Sequence, residues 1–65
     1  MDYAIELRDL REHAGLTQEA LARRARVNPR TLRRYEQGER EPTVSVAARL
    51  RQACEAAMQR RAVRP

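Results

Sequence analysis

An all-α fold is what this sequence predicts, and three observations carry the prediction. A capping residue stands before each stretch of helically spaced apolar residues. Gly15 and Gly38 punctuate the chain between such stretches. No segment alternates apolar and polar residues as a half-buried strand would.

The elements follow in order. Asp2 is placed to cap a first helix on which Tyr3, Leu7, Leu10 and Ala14 share one face, and Gly15 ends it. Thr17 caps a second, from Gln18 to Ala25, with Leu21, Ala22 and Ala25 apolar. Asn28-Pro29 pairs a cap residue with proline at the first helical position, where the missing N–H costs nothing. The third helix should therefore run from Pro29 to about Gln37, with Gly38 as its stop. Glu39-Arg40-Glu41-Pro42 reads as a loop, and Thr43 caps a fourth helix. Neither Gly nor Pro follows until about Ala62, and Val44, Ala47, Leu50, Cys54, Ala57 and Met58 keep helical spacing, so this helix should be long.

Composition narrows the function. Sixty-five residues suffice for one small domain, and with no Trp or Phe and only two Tyr its core must be aliphatic. A core of this size leaves no room for a buried catalytic cleft, and one Cys and one His supply neither a disulfide nor a zinc site. No enzyme, metal or cofactor is expected. No apolar run has the length of a membrane span or the form of a secretory leader, so a cytoplasmic, nucleoid-associated protein is expected. Every one of the 14 strongly basic residues is Arg, and they are unevenly spread. The balance is −2 over residues 1–17, +4 over 18–40 and +3 over 41–65. A basic centre beside an acidic N-terminal segment points to a polyanionic partner.

The informative stretch is Gln18 to Gln37, two short helices joined by a tight turn at about Arg26–Asn28. Helices joined so closely cross steeply and need a small residue where they touch, here Ala22. On the second of them, at 100° per residue, Arg34 and Gln37 fall within roughly 40° of Arg30, and Arg33 within roughly 60°. Leu32, Tyr35 and Glu36 point the other way. One face can thus anchor while the other presents three guanidiniums and an amide, groups that pair with guanine O6 and N7 or clamp phosphates.

The ordered set Leu7-Arg8-Asp9-Leu10-Arg11, Gly15-Leu16-Thr17-Gln18, Leu21-Ala22, Tyr35-Glu36-Gln37-Gly38 and Pro42 resembles the Cro/C1-type (XRE-like) helix-turn-helix family over roughly residues 5–54. The resemblance implies a four- to five-helix lambda-repressor-like domain at residues 1–54 with a helical extension at 55–65. It also implies binding to double-stranded DNA. Thr17 and Gln18 stand where the family caps its second helix and touches a phosphate or a base-pair edge. Pro29, Arg30, Thr31 and Arg34 stand where the recognition helix reaches bases, and Arg33 is better placed for the backbone. Gln37, Gly38 and Arg40 match a loop whose N–H groups and basic side chain hold phosphate. Arg11 and Glu36 match an internal ion pair between the first and third helices.

The sequence departs from the pattern in three places. Arg26 occupies a turn position that is often Gly, Pro29 replaces a frequent polar base contact, and the break that opens a fifth helix is absent. The leading expectation is a sequence-specific transcriptional regulator, a repressor. A rival is an antitoxin-like or accessory protein that binds a protein partner through its C-terminal helix. Val46, Ala53, Ala57 and Met58, partly unaccounted for by the core, motivate that rival, and Ala53, Ala57 and Met58 also motivate a weak homodimer through the same helix. Tyr35 is expected in the core and His13 at the surface, while for Arg23 and Arg24 an approach to phosphates and a solvated face stand equal.

Overall fold

In a computed structural model, which describes residues 2–62, the chain folds into four helices: α1 (Tyr3–His13), α2 (Gln18–Ala25), α3 (Pro29–Glu36) and α4 (Val44–Ala62). Each begins at the cap its sequence supplies. Asp2 Oδ1 accepts the Ala4 N–H at 3.0 Å, Thr17 Oγ1 that of Ala20 at 3.0 Å, Asn28 Oδ1 that of Arg30 at 2.8 Å, and Thr43 Oγ1 that of Val46 at 3.2 Å. These bonds satisfy donors that a helix start leaves without intrahelical partners.

The first three helices also end alike. After α1, α2 and α3 the chain passes through one left-handed residue, Gly15 (φ +73°), Arg26 (φ +59°) and Gly38 (φ +77°). In each case the next residue's N–H bonds a carbonyl five positions back: Leu16 to Arg11, Val27 to Ala22, and Glu39 to Arg34, at 3.2, 2.8 and 3.0 Å. This double-bonded stop reverses the chain sharply, and it favours glycine because a side chain is strained at positive φ. Arg26 takes the left-handed conformation without glycine, so this turn has the same form as those at Gly15 and Gly38.

Helix packing is cyclic: α1 lies on α3, α3 on α2, α2 on α4, and α4 back on α1. Leu21, Leu32, Leu50 and Cys54 are fully enclosed at the centre, with Leu7, Ala14, Ala22, Ala25, Tyr35 and Ala57 around them. Ala22 is wholly buried where α2 passes α3, as the steep crossing demands.

Two expectations about α4 are corrected. Val44 is 88% exposed, because the first residue of α4 overhangs the edge of the bundle. Ala57 is a core residue, while Val46, Ala53 and Met58 are partly buried against the core. The reason is reach: α4 continues unbroken past residue 54 and covers the turn after α1, where Arg61 Nη1 donates to the His13 carbonyl at 3.1 Å. Of the residues that suggested a spare apolar surface, Ala57 is taken up by the core, and Val46, Ala53 and Met58 are partly covered by it. No helix among the described residues is long and apolar enough to cross a membrane.

Candidate nucleic-acid interface

Helix α3 is held from behind and open in front. Leu32, Tyr35 and Glu36 are buried, whereas Pro29, Arg30, Arg33, Arg34 and Gln37 are exposed and Thr31 is half-buried. The helical-wheel assignment of its two faces is therefore the one observed. Among the described residues the ion pairs are Arg11–Glu36 and Arg51–Glu55, so Arg30, Arg33 and Arg34 present guanidiniums with no carboxylate at pairing distance.

What fixes α3 in place is a buried carboxylate. The Glu36 side chain is 1% exposed and accepts three hydrogen bonds. Arg11 Nε donates to Oε2 at 2.7 Å and Arg11 Nη2 to Oε1 at 3.1 Å. Gln18 Nε2 donates to Oε1 at 3.0 Å. Arg11 Nη1 also donates to the Leu16 carbonyl at 3.0 Å. One ion pair thus joins α1, the α1–α2 turn, the start of α2 and the end of α3. Its hydrogen bonds to Glu36 raise the Arg11 pKa above the usual value, against the opposing effect of burial. A carboxylate so enclosed is tolerable because its lone pairs are occupied.

The network alters the role read for Gln18. One of its two amide N–H groups is engaged with Glu36, so the other, its Oε1 and its backbone N–H remain for an outside partner. Sequence reasoning missed this bond; a polar side chain at the start of α2, beside an ion pair inferred on other grounds, was the available signal. Thr17 is exposed, and although its oxygen accepts from Ala20, its hydroxyl proton stays free to donate. The same face includes the first turn of α2, where backbone N–H groups favour an anion.

The loop after α3 differs from its expected chemistry. The N–H groups of Gln37, Gly38 and Glu39 all donate into the end of α3, to Arg33, Tyr35 and Arg34. The helix stop consumes the donors that were expected to hold phosphate, and leaves the exposed Arg40 side chain as the loop's cation. No group of three metal-ligating side chains occurs among the described residues.

Tyr35 is buried at 7% exposure, and His13 is exposed with its Nδ1 2.8 Å from the Asp9 carbonyl, as expected of both. Arg23 and Arg24 are exposed.

Comparison with known proteins agrees with this arrangement. A family model described as a helix-turn-helix domain matches residues 2–63, nearly the whole chain. No curated protein and no solved structure matches.

Proposed function

We propose, for a chain that belongs to the helix-turn-helix domain family, sequence-specific recognition of double-stranded DNA by α3 in the major groove, in the service of transcriptional repression. The family is a non-catalytic, DNA-binding one. The observation that carries the finer reading is the two-faced character of α3: three guanidiniums outward, unpaired among the described residues, with Leu32, Tyr35 and Glu36 locked inward. Holding the helix rigidly matters because a misplaced fork loses bidentate pairing with guanine.

In this reading Arg30 and Arg34 contact base edges, with Thr31 and the Pro29 ring beside them. Thr17, Gln18, Arg33, Gln37 and Arg40 hold flanking phosphates, and Gly38 permits the loop to approach them. Phosphate contacts set the register and base contacts the sequence. Residues 1–54 carry this interface, and α4 beyond residue 54 braces the turn that precedes α2 through Arg61. A repressor of this kind acts in the cytoplasm, by occluding the promoter it occupies. Two copies as a homodimer would read half-sites about 34 Å apart.

A protein partner on the C-terminal helix, as an antitoxin-like role requires, has less support, since Ala57 is buried and Ala53 and Met58 are half-buried against the core. Selection of binding sites from random duplex DNA tests the proposal. It should enrich a short motif containing guanine, repeated as a palindrome if two copies bind. Recovery of no motif, with binding to every duplex alike, would refute sequence-specific recognition.

A further inference from the structure

Cyclic packing places the α2/α4 seam across the molecule from the seam between α1 and α3. Two clefts open along α2/α4 and meet at Arg24. One, of about 440 Å³, has Ala14, Leu16 and Ala57 beneath Arg24, Arg60 and Arg61. The other, of about 320 Å³, has Ala25 and Ala53 beside Arg24, Arg26 and Arg49. All five arginines are exposed, and none is ion-paired among the described residues. Ala14, Ala25 and Ala57 are buried, so the half-buried Leu16 and Ala53 form the seam's narrow apolar floor, with a row of guanidiniums along it, on a side that includes no residue of α3.

The matching surface lies on the same chain. The solvent face of α1 carries Glu6, Asp9 and Glu12, all exposed, around an Ile5 that is 60% exposed, with Arg8 as its one guanidinium. These carboxylates also lack ion pairs among the described residues. An exposed apolar side chain beside carboxylates complements a narrow apolar floor beside arginines. The half-buried Leu16 and Ala53 argue against a second duplex as the occupant, because phosphates gain nothing from apolar side chains.

We propose that a second copy of this chain docks the outer face of its α1 on the α2/α4 seam, seating Ile5 on the floor and its carboxylates against Arg24, Arg60 and Arg61. The contact is head to tail, so each copy keeps a free seam and a free α1 face for further copies unless the arrangement closes. It rests on exposed charges and is accordingly weak and sensitive to salt. Because neither surface includes α3, associated copies keep their α3 faces uncovered.

Charge exchange between two variants, in the absence of DNA, tests the contact. Arg24→Glu/Arg60→Glu makes the seam acidic, and Asp9→Arg/Glu12→Arg makes the α1 face basic. Sedimentation at low salt should show the unchanged chain associating as its concentration rises, and remaining monomeric at about 0.5 M salt. Each variant alone should stay monomeric, and an equimolar mixture should associate, since each face then meets its opposite. Both variants keep a positive net charge, so attraction between oppositely charged molecules does not account for a complex. Thermal melts of the two variants establish that both are folded. A monomeric unchanged chain at every concentration, or folded variants that fail to associate when mixed, would overturn the proposal. So would a seam variant whose self-association is intact and whose only defect is weaker DNA binding with a shallower salt slope, which would assign the seam to nucleic acid.

Discussion

Arg11 and Glu36, 25 residues apart, are joined by two hydrogen bonds of 2.7 and 3.1 Å across the boundary between α1 and α3. The carboxylate has almost no contact with water, so its partner cannot be removed without leaving a buried charge. Arg11→Ala should therefore lose about 3–5 kcal/mol of folding stability, as expected for breaking a buried pair from one side. Glu36→Ala should lose a similar amount, and the double variant much less than the two together. Chemical denaturation of the four proteins measures the coupling. Additive losses would mean that the pair contributes nothing as a pair.

The exposed arginines of α3 and of the loop after it should separate by function. Arg34→Ala should cost about 1–3 kcal/mol against the best site and relax preference at one base position. Arg40→Ala should weaken binding evenly over all sequences and make the salt dependence shallower by about one. If one copy neutralises about four phosphates, log K should fall with log salt at a slope of about −3.6. Titrations at several salt concentrations, on the selected site and on a scrambled duplex, read all three outcomes. An unchanged motif after Arg34→Ala would remove that residue from base recognition.

Arg26 stands at φ +59° and ψ +47°, where a side chain crowds the following carbonyl. Arg26→Gly should relieve that strain at some cost in chain entropy, leaving a net gain of about 0.5–1 kcal/mol. Its melting temperature should rise by a few degrees. A fall would show that the arginine side chain contributes more than its backbone costs.

Cys54 is completely enclosed, and burial raises its thiol pKa above the ordinary value. Burial likewise raises the pKa of the Tyr3 phenol, assisted by Tyr35. In the unfolded chain a thiol ionises near pH 8.5, at about its unperturbed value. Between that value and the higher folded one, the unfolded chain holds fewer protons, so stability falls as pH rises. Denaturation midpoints should be level from neutral pH to about 8 and then decline. Cys54→Ala should flatten the first part of the decline. Alkylation of the thiol should proceed only as fast as the chain opens.

The helices were legible because local chemistry and packing agree at nearly every boundary. Asp2, Thr17, Asn28 and Thr43 each cap the helix they precede, and Gly15 and Gly38 each take the left-handed turn that follows one. The two faces of α3 were legible because a helix of eight residues leaves little freedom in phase. Three features were not. The Gln18–Glu36 bond depends on how α2 crosses α3, which periodicity within either helix does not encode. The use of the Gln37, Gly38 and Glu39 N–H groups depends on the form of the helix stop rather than on residue type. The burial of Ala57 depends on how far α4 overlaps the end of α1, a contact between elements distant in sequence.

That overlap has a consequence at Gly15. Its φ of +73° already disfavours a side chain, and an alanine Cβ there would lie 2.6 Å from Arg61 Nη1. The guanidinium is the far end of a flexible chain, so it would swing aside and lose its hydrogen bond to the His13 carbonyl. Gly15→Ala should therefore cost about 1–2 kcal/mol for the backbone, together with whatever the Arg61 bond contributes. Arg61→Ala alone should cost only the bond, about 0.5–1.5 kcal/mol. In the double variant the bond can be lost only once, so the combined loss should fall short of the sum by the Arg61 share. Urea denaturation of the three variants and the parent resolves that difference. Strict additivity would mean that the arginine does not lie over the glycine, and that α4 ends short of the turn after α1.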